Sequence, residues 1–119
     1  MNSDVPHPRE EPFAAPPRGA ENTGRPWTLV AYNHRVNECW QAFIECEPTS
    51  AARWYSYLLM QAMTRYPHRV FPLRGSEYAG AWECEISRGD RLYYIPDENT
   101  HKVVVYYVGP HPKRAPKPP

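Results

Sequence analysis

The sequence predicts an α+β fold in which two helices pack against an antiparallel sheet. Two observations lead to this prediction. Apolar residues recur with the helical period of 3.6 between residues 34 and 66, and with the strand period of 2 from about residue 70 onward. A short stretch typical of a strand, residues 27–32, precedes the helical part. The predicted order of elements is therefore one strand, a helix hairpin and then a meander of strands.

The first strand and the first helix follow Pro26, which punctuates the chain. Residues 27–32 are rich in β-branched and aromatic side chains, which favours a strand. Asn33 can then cap a helix over residues 34–45. The apolar side chains of this helix fall at i, i+4, i+7 and i+8 and so share one face; they are Val36, Trp40, Phe43 and Ile44.

The second helix has the strongest periodic signal in the chain. Pro48 interrupts the first helix, and Thr49 or Ser50 offers a new N-cap. Six side chains then recur at helical spacing, namely Tyr55, Leu58, Leu59, Ala62, Met63 and Tyr66. We expect the helix to end at Tyr66, because Pro67 disfavours the helical conformation of the residue before it. The short connection predicts that the two helices form an antiparallel hairpin.

Four short strands are predicted after His68. Residues 70–73 read as a strand, which Pro72 places at a sheet edge or at a bulge. In the next strand polar residues alternate with three that face the core, Trp82, Cys84 and Ile86. Two further strands over residues 91–95 and 102–108 are separated by turn residues.

Both ends of the chain are predicted to be disordered tails. Six of the 15 prolines fall in residues 1–26, and five more fall in residues 110–119. The first 26 residues contain Phe13 as their only aromatic side chain. So little apolar surface does not offset the entropy lost on ordering. We therefore predict one domain over residues 27–112, flanked by a Pro-rich tail over residues 1–26 and a basic Pro-rich tail over residues 113–119.

Charge and ligand spacing narrow the function classes. The formal net charge of +1 is well below that of a protein that binds bare nucleic acid by charge alone, so any RNA contact has to be focal. The five histidines and three cysteines show no metal-ligand spacing, so no metal and no cofactor is expected. The chain lacks a signal-peptide pattern and a long apolar run, which predicts a cytoplasmic protein with no membrane contact.

The predicted sheet contains most of the residues that are able to do chemistry. Metal-free RNA cleavage needs a base, cations that hold the phosphate and an acid, and aromatic rings can stack on unpaired bases. A Glu beside an Arg on neighbouring strands is, however, more often an ion pair, and a Tyr on a strand is more often a packing residue. The candidates are Arg74, Glu83, Glu85, Arg88, Arg91, Tyr93, Tyr94, Tyr106, Tyr107 and His111.

Residues 27–112 resemble the RelE/ParE superfamily, the bacterial toxins of type II toxin–antitoxin systems, and resemble its RelE-like branch most. The resemblance implies a strand, a helix hairpin and a curled antiparallel sheet, with the active cleft on the concave face of that sheet. It rests on the order of four motifs: Leu73-Arg74-Gly75, the alternation around Trp82, the run from Gly89 to Tyr94, and residues 103–108 followed by Gly109-Pro110-His111-Pro112.

The resemblance also implies roles for single residues. Arg91 looks like the phosphate-binding Arg of the family, and His111 falls where RelE-like members place an Arg or His for proton transfer. Glu83 and Glu85 stand where RelE carries lysines, whereas YoeB-like members pair a Glu base with Arg and His. Glu85, Arg91 and His111 would reproduce that catalytic set. The residues that the resemblance implies for RNA or phosphate contacts are Arg74, Arg88, Tyr94 and Tyr107.

The resulting functional prediction is a toxin that cuts mRNA on the ribosome and so inhibits translation. In such toxins the 2′-hydroxyl attacks the adjacent phosphate and leaves a 2′,3′-cyclic phosphate. Two alternatives stay open: a ParE-like inhibitor of DNA gyrase that performs no chemistry, and a catalytically degenerate homologue that only binds its antitoxin. The expected partners are a cognate antitoxin protein and, for the nuclease, the ribosome with its mRNA.

Overall fold

A computed structural model describes residues 9–17 and 25–119 of the chain. The fold is α+β, as predicted, with two helices packed against one six-stranded sheet. The helices are α1 (His34–Cys46) and α2 (Pro48–Gln61). The strands are β1 (Glu11–Pro12), β2 (Thr28–Ala31), β3 (Val70–Pro72), β4 (Trp82–Glu85), β5 (Asp90–Asp97) and β6 (Lys102–Pro110).

The sheet is mixed, and its strand order is β1-β2-β6-β5-β4-β3. β2 lies beside β6 and runs parallel to it, with Thr28 opposite Lys102 and Ala31 opposite Val105. All other neighbouring strands are antiparallel. The prediction of a wholly antiparallel sheet is therefore wrong at this pair, because strand periodicity specifies which face is buried but not which strands become neighbours.

The first helix begins where the sequence predicts. The backbone N–H of Val36 donates to Oδ1 of Asn33 at 2.9 Å, so Asn33 is the N-cap. The second helix begins at Pro48 itself rather than after it. Proline is well suited to the first turn of a helix, because the N–H that it lacks has no helical partner there. Glu47 alone separates the two helices.

The second helix ends at Gln61, five residues before the predicted end at Tyr66. The backbone of Tyr66 is instead paired with Val70: each N–H donates to the other's carbonyl, at 3.0 and 2.9 Å. The Ala62 carbonyl accepts from the hydroxyl of Tyr94 at 2.7 Å. These tertiary hydrogen bonds override the helical periodicity of residues 62–66.

The main core lies between the helices and one face of the sheet. The helices contribute three side chains with almost no exposed surface, and β5 and β6 contribute the facing ones; together these are Trp40, Trp54, Leu58, Leu92, Tyr94, Val103 and Val105. Burying each large apolar side chain contributes about 1.5–3 kcal/mol. Within residues 9–17 and 25–119, neither helix has the length and apolar character needed to cross a membrane.

A β-bulge in β6 gives the opposite sheet face, here called the outer face, an aromatic character. Tyr93 pairs with Tyr107 but the next residue, Tyr94, pairs with Val105, so Tyr106 has no partner on β5. An extra residue interrupts the alternation of side chains along a strand. Tyr106 and Tyr107 therefore lie on the same face, where Tyr93 and Tyr106 are buried in a second, smaller cluster.

Part of the predicted N-terminal tail belongs to the fold. β1 pairs with β2 and forms one edge of the sheet, and Phe13 is only 3% exposed. Its ring stacks on Trp40, with ring centroids 4.5 Å apart. The prediction of disorder is thus wrong for residues 11–14, because one aromatic ring in an aromatic cleft compensates for a segment that is otherwise poor in apolar side chains. Residues 1–8 and 18–24 of the predicted tail lie outside the described residues.

The predicted C-terminal tail also contacts the sheet. The hydroxyl of Tyr106 donates to the carbonyl of Pro116 at 2.9 Å, and Ala115 packs against the outer-face cluster. Just before this segment, the backbone N–H of His111 donates to the Gly89 carbonyl at 2.9 Å. The C-terminal segment therefore lies against the outer face at residues 115 and 116, where the sequence predicts disorder.

Acid should weaken the attachment of β1. The amide of Asn37 donates to Glu11 at 2.7 Å, and the His34 ring nitrogen lies 3.1 Å from the same carboxylate. The Asn37 hydrogen bond is the main cause that lowers the pKa of Glu11 below its ordinary value of 4.5. A carboxylate with a lowered pKa stabilises the fold at pH values above its unfolded pKa, and this contribution is lost as the pH falls through the folded pKa.

We therefore expect the Glu11→Gln variant to be less stable than the wild type at pH 7 and to lose less stability between pH 5 and pH 3. Urea unfolding across this pH range measures both effects. Glu38→Gln is the matched control, because Glu38 is an exposed carboxylate on the same side of α1 that also faces His34. Parallel pH profiles for wild type and Glu11→Gln would contradict the prediction.

Candidate functional site

An arginine and two glutamates form a compact cluster on β4 and β5. Nε of Arg91 lies 3.5 Å from Oε2 of Glu83, and Nη2 of Arg91 lies 3.6 Å from Oε2 of Glu85. The side chains are 12% exposed for Arg91, 13% for Glu83 and 23% for Glu85. We call these three residues the Glu-Arg-Glu cluster. Its two carboxylates and one guanidinium have a formal net charge of −1.

Strand alternation places the cluster on the outer face. In β4 the side chains of Trp82 and Cys84 enter the main core, so Glu83 and Glu85 point to the other side. The register then sets Glu85 opposite Arg91. Cross-strand neighbours of opposite charge attract one another. The cluster thus follows from the polar–apolar alternation of β4 together with the position of the turn before β5.

The guanidinium of Arg91 is held on every side. Its Nη1 donates to three backbone carbonyls of the turn, those of Ser87 at 3.0 Å, Arg88 at 3.3 Å and Asp90 at 3.0 Å. Nε and Nη2 face the two carboxylates. A phosphate that binds Arg91 must therefore take over one of the carboxylate positions.

Tyr93 extends the cluster along β5. It pairs with Glu83 across the strands, so its phenol lies on the same face as the Glu83 carboxylate and senses its charge. Burial, and next the negative charge of Glu83, raise the pKa of Tyr93 well above its ordinary value of 10. The phenol therefore stays protonated beside the Glu83 carboxylate. Glu83 and Tyr93 are among the candidates from the sequence, but neither is predicted to have a role in the site; the strand register that pairs them is the signal that links them.

Four of the residues predicted for the site come together at one end of the sheet. Glu85 and Arg91 belong to the cluster, and Arg88 lies in the turn whose carbonyls hold Arg91. The hydrogen bond from the His111 backbone to Gly89 fixes the end of β6 beside this turn. The side chains of Arg88 and His111 are exposed. This end of the sheet thus offers a carboxylate, two guanidinium groups and an imidazole.

Tyr107, predicted to contact RNA, lies on the outer face beside the cluster. Its ring meets that of Tyr93 edge to face, with centroids 5.5 Å apart, and its hydroxyl donates to the Pro110 carbonyl at 2.5 Å. Burial raises the pKa of Tyr107 above its ordinary value. A Cβ atom at Gly109 would lie 3.3 Å from this hydroxyl, so glycine gives the ring its space.

Two predicted RNA-contacting residues lie elsewhere. Arg74 is exposed and follows β3, whose Pro72 pairs with Trp82, three residues along β4 from Glu85. At about 3.4 Å per residue, this separates the backbone of Arg74 from that of Glu85, the proposed base, by more than about 10 Å. Tyr94 has no exposed surface, lies on the helix side of the sheet and donates to Ala62. Tyr94 is therefore a core residue and offers no ring to a base.

The part of the chain that the structure describes contains no group of three His, Cys, Asp or Glu side chains arranged to hold a metal ion. Comparisons with protein-family models, with curated proteins and with solved structures found no match to this chain. The RelE-like resemblance therefore stays a prediction from the residues. The function has to be argued from the geometry of the cluster and of the sheet end around it.

Proposed function

We propose that this chain is the toxin of a type II toxin–antitoxin system, a RelE-like endonuclease that cuts mRNA on the ribosome. The observation that supports this function is that the strand register brings the Glu85–Arg91 pair and the backbone of His111 to the same end of the sheet. A carboxylate, a guanidinium and an imidazole are the base, the phosphate ligand and the acid that RNA cleavage by 2′-hydroxyl attack requires. The order of elements from β2 to β6 also agrees with the RelE/ParE-like fold that we propose.

In the proposed reaction the Glu85 carboxylate takes the proton of the 2′-hydroxyl while the 2′-oxygen attacks the adjacent phosphorus. Arg91 stabilises the negative charge that grows on the phosphoryl oxygens. Protonated His111 gives its proton to the departing 5′-oxygen as the P–O bond breaks. The products are a 2′,3′-cyclic phosphate and a 5′-hydroxyl, and the enzyme is left with one proton moved from His111 to Glu85.

The two glutamates have different roles in this proposal. Glu83 is the less exposed of the two and faces Nε of Arg91 at 3.5 Å, so it holds the guanidinium in position. Glu85 is more exposed and faces Nη2, the edge of the guanidinium that a phosphate can reach. Glu83 is therefore a positioning residue, and Glu85 is the residue that meets the substrate. Arg88, exposed on the adjacent turn, is placed to contact a neighbouring phosphate.

A second candidate function is a homologue that binds its antitoxin and has lost the nuclease activity. One specific observation favours it: Arg91 is neutralised by two carboxylates and also donates to three carbonyls. An anionic phosphate then meets a cluster of net negative charge. In both candidates the partner is an antitoxin protein and the expected location is the cytoplasm. The third alternative, gyrase inhibition, has no feature of the described residues in its favour.

Primer extension on a reporter mRNA in a reconstituted translation system distinguishes the two candidates. We expect the wild type to cut only in the presence of ribosomes and to leave 2′,3′-cyclic phosphate ends. Glu85→Gln and His111→Ala should each reduce cleavage by about 100-fold or more, since each removes a proton-transfer group. Arg53→Ala is the matched control, because it removes an exposed charge from α2, on the other side of the sheet.

Folding of each variant is checked by circular dichroism before the assay. An intact message with the folded wild type, at concentrations equal to those of the ribosomes, would remove the nuclease and leave the binding-only homologue. Cleavage that persists at wild-type rates in both Glu85→Gln and His111→Ala would show that the reaction uses other residues.

A further inference from the structure

Residues 11–14 lie in a cleft between β2 and helix α1, and β2 itself forms one side of the cleft. Glu11 and Pro12 pair antiparallel with Ala31 and Val30. The backbone N–H of Phe13 also donates to the Leu29 carbonyl, at 3.1 Å. Residues 11–13 thus extend the sheet in the way that a bound peptide adds a strand to a free edge.

The other side of the cleft is formed by two side chains of α1. The amide of Asn37 accepts from the Ala14 N–H at 3.1 Å and donates to the Pro12 carbonyl at 3.2 Å. Nε1 of Trp40 donates to the Ala14 carbonyl at 2.7 Å. The helix therefore forms hydrogen bonds with the backbone of the segment and also with the Glu11 carboxylate, which accepts from Asn37 at 2.7 Å.

The side-chain pocket of the cleft takes a flat ring. Phe13 stacks on Trp40 and lies parallel to Tyr55, with a centroid distance of 6.3 Å and an interplanar angle of 5°. Two side chains on the flanks of the cleft face carboxylates. The Lys102 ammonium lies 3.2 Å from Glu10, and the His34 ring lies 3.1 Å from Glu11. The cleft thus combines a ring pocket with one cationic side chain and one imidazole that contact acidic residues.

Asn37 indicates that this cleft is a binding site. Asn37 is only 6% exposed, and its side chain forms hydrogen bonds with residues 11, 12 and 14. A buried amide without partners costs about 1–3 kcal/mol, so the cleft needs an occupant. The surrounding walls come from β2, α1 and α2, which are remote in sequence from the occupant.

We infer that this cleft is a peptide-recognition site for an extended acidic segment of a partner protein, with a glutamate two residues before a phenylalanine. Residues 11–14 are its tethered occupant and define the ligand chemistry: backbone bonds on both sides, a carboxylate, a ring and then a small residue. The acidic character of the partner segment follows from the Lys102 ammonium, which faces Glu10, and from the Asn37 amide, which donates to Glu11. This site is separate from the Glu-Arg-Glu cluster and does not rest on the proposed function.

The test is a fluorescence-anisotropy titration with a labelled peptide of residues 9–17. The receptor is the full chain with Phe13→Ala, whose own segment no longer fills the ring pocket. We expect saturable binding that weakens by about tenfold or more when alanine replaces the phenylalanine of the peptide. The wild-type chain should bind more weakly than Phe13→Ala, by about tenfold or more, because its tethered segment competes at high effective concentration.

Adding Asn37→Ala to the receptor should also weaken binding by about tenfold, whereas Asn99→Ala, which changes an exposed turn residue, should not. If Phe13→Ala is unfolded by circular dichroism, Phe13→Leu takes its place. The inference is overturned by a folded receptor that shows no saturable binding, or by binding that is insensitive to both the phenylalanine and Asn37. A wild-type dimer that dissociates on Phe13→Ala substitution would overturn the partner assignment, since a second copy would then supply the segment.

Discussion

Replacing Arg91 with methionine is expected to lower the free energy of unfolding by about 3 kcal/mol at pH 7. Methionine keeps an apolar stem but removes the guanidinium. Glu83 and Glu85 then have no positive charge between them. Removing one partner of a buried ion pair costs about 3–5 kcal/mol, and the partial exposure of both glutamates places the expected value at the lower end. Urea denaturation followed by tryptophan fluorescence measures the change.

The variant that combines Glu83→Gln, Glu85→Gln and Arg91→Met is the decisive control. It removes all three charges, so no carboxylate is left unpaired, and we expect it to recover most of the lost stability. A loss below about 0.5 kcal/mol for Arg91→Met alone would show that the cluster behaves as an ordinary exposed ion pair. The expected instability also explains why Glu85 and His111, rather than Arg91, are the residues to substitute in the cleavage assay.

Phe13→Ala is expected to lower the free energy of unfolding by about 3 kcal/mol. Truncating a buried phenylalanine typically costs about 3–5 kcal/mol, and here the ring also loses its stacking on Trp40. A disordered tail would give no change at all, so the measurement separates the packing seen in the structure from the sequence prediction. Met63→Ala is a suitable control, because Met63 is 41% exposed and should contribute no more than about 0.5 kcal/mol.

Local pattern predicted the elements whose stability is decided locally. The Asn33 cap, the helical face around Trp40 and the alternation of β4 need only a few neighbouring residues, and all three are confirmed. The end of α2 was missed because Tyr66 pairs with Val70 across a turn. β1 was missed because two residues have no detectable period, and their place depends on a cleft built by distant parts of the chain.

In the candidate site, too, the features that depend on neighbouring residues were predictable and those that depend on the folded backbone were not. The alternation of β4 predicted that Glu85 lies on the face away from the core. Its pairing with Arg91 follows from the register of two strands joined by a short turn. The burial of Tyr94 was also within reach, because Leu92 and Tyr94 share one strand face. What the sequence could not show is that the turn carbonyls hold Arg91, since this depends on the conformation of residues 87–90.

The two outermost strands have a consequence for the behaviour of the protein in concentrated solution. β1 is two residues long and β3 is three, and each contains a proline, Pro12 or Pro72. Proline has no backbone N–H to donate, so neither of these outermost strands can template a further strand from another molecule. Release of residues 11–14 would uncover β2, a longer strand without proline. The segment that fills the cleft is thus also a guard against fibrous self-assembly.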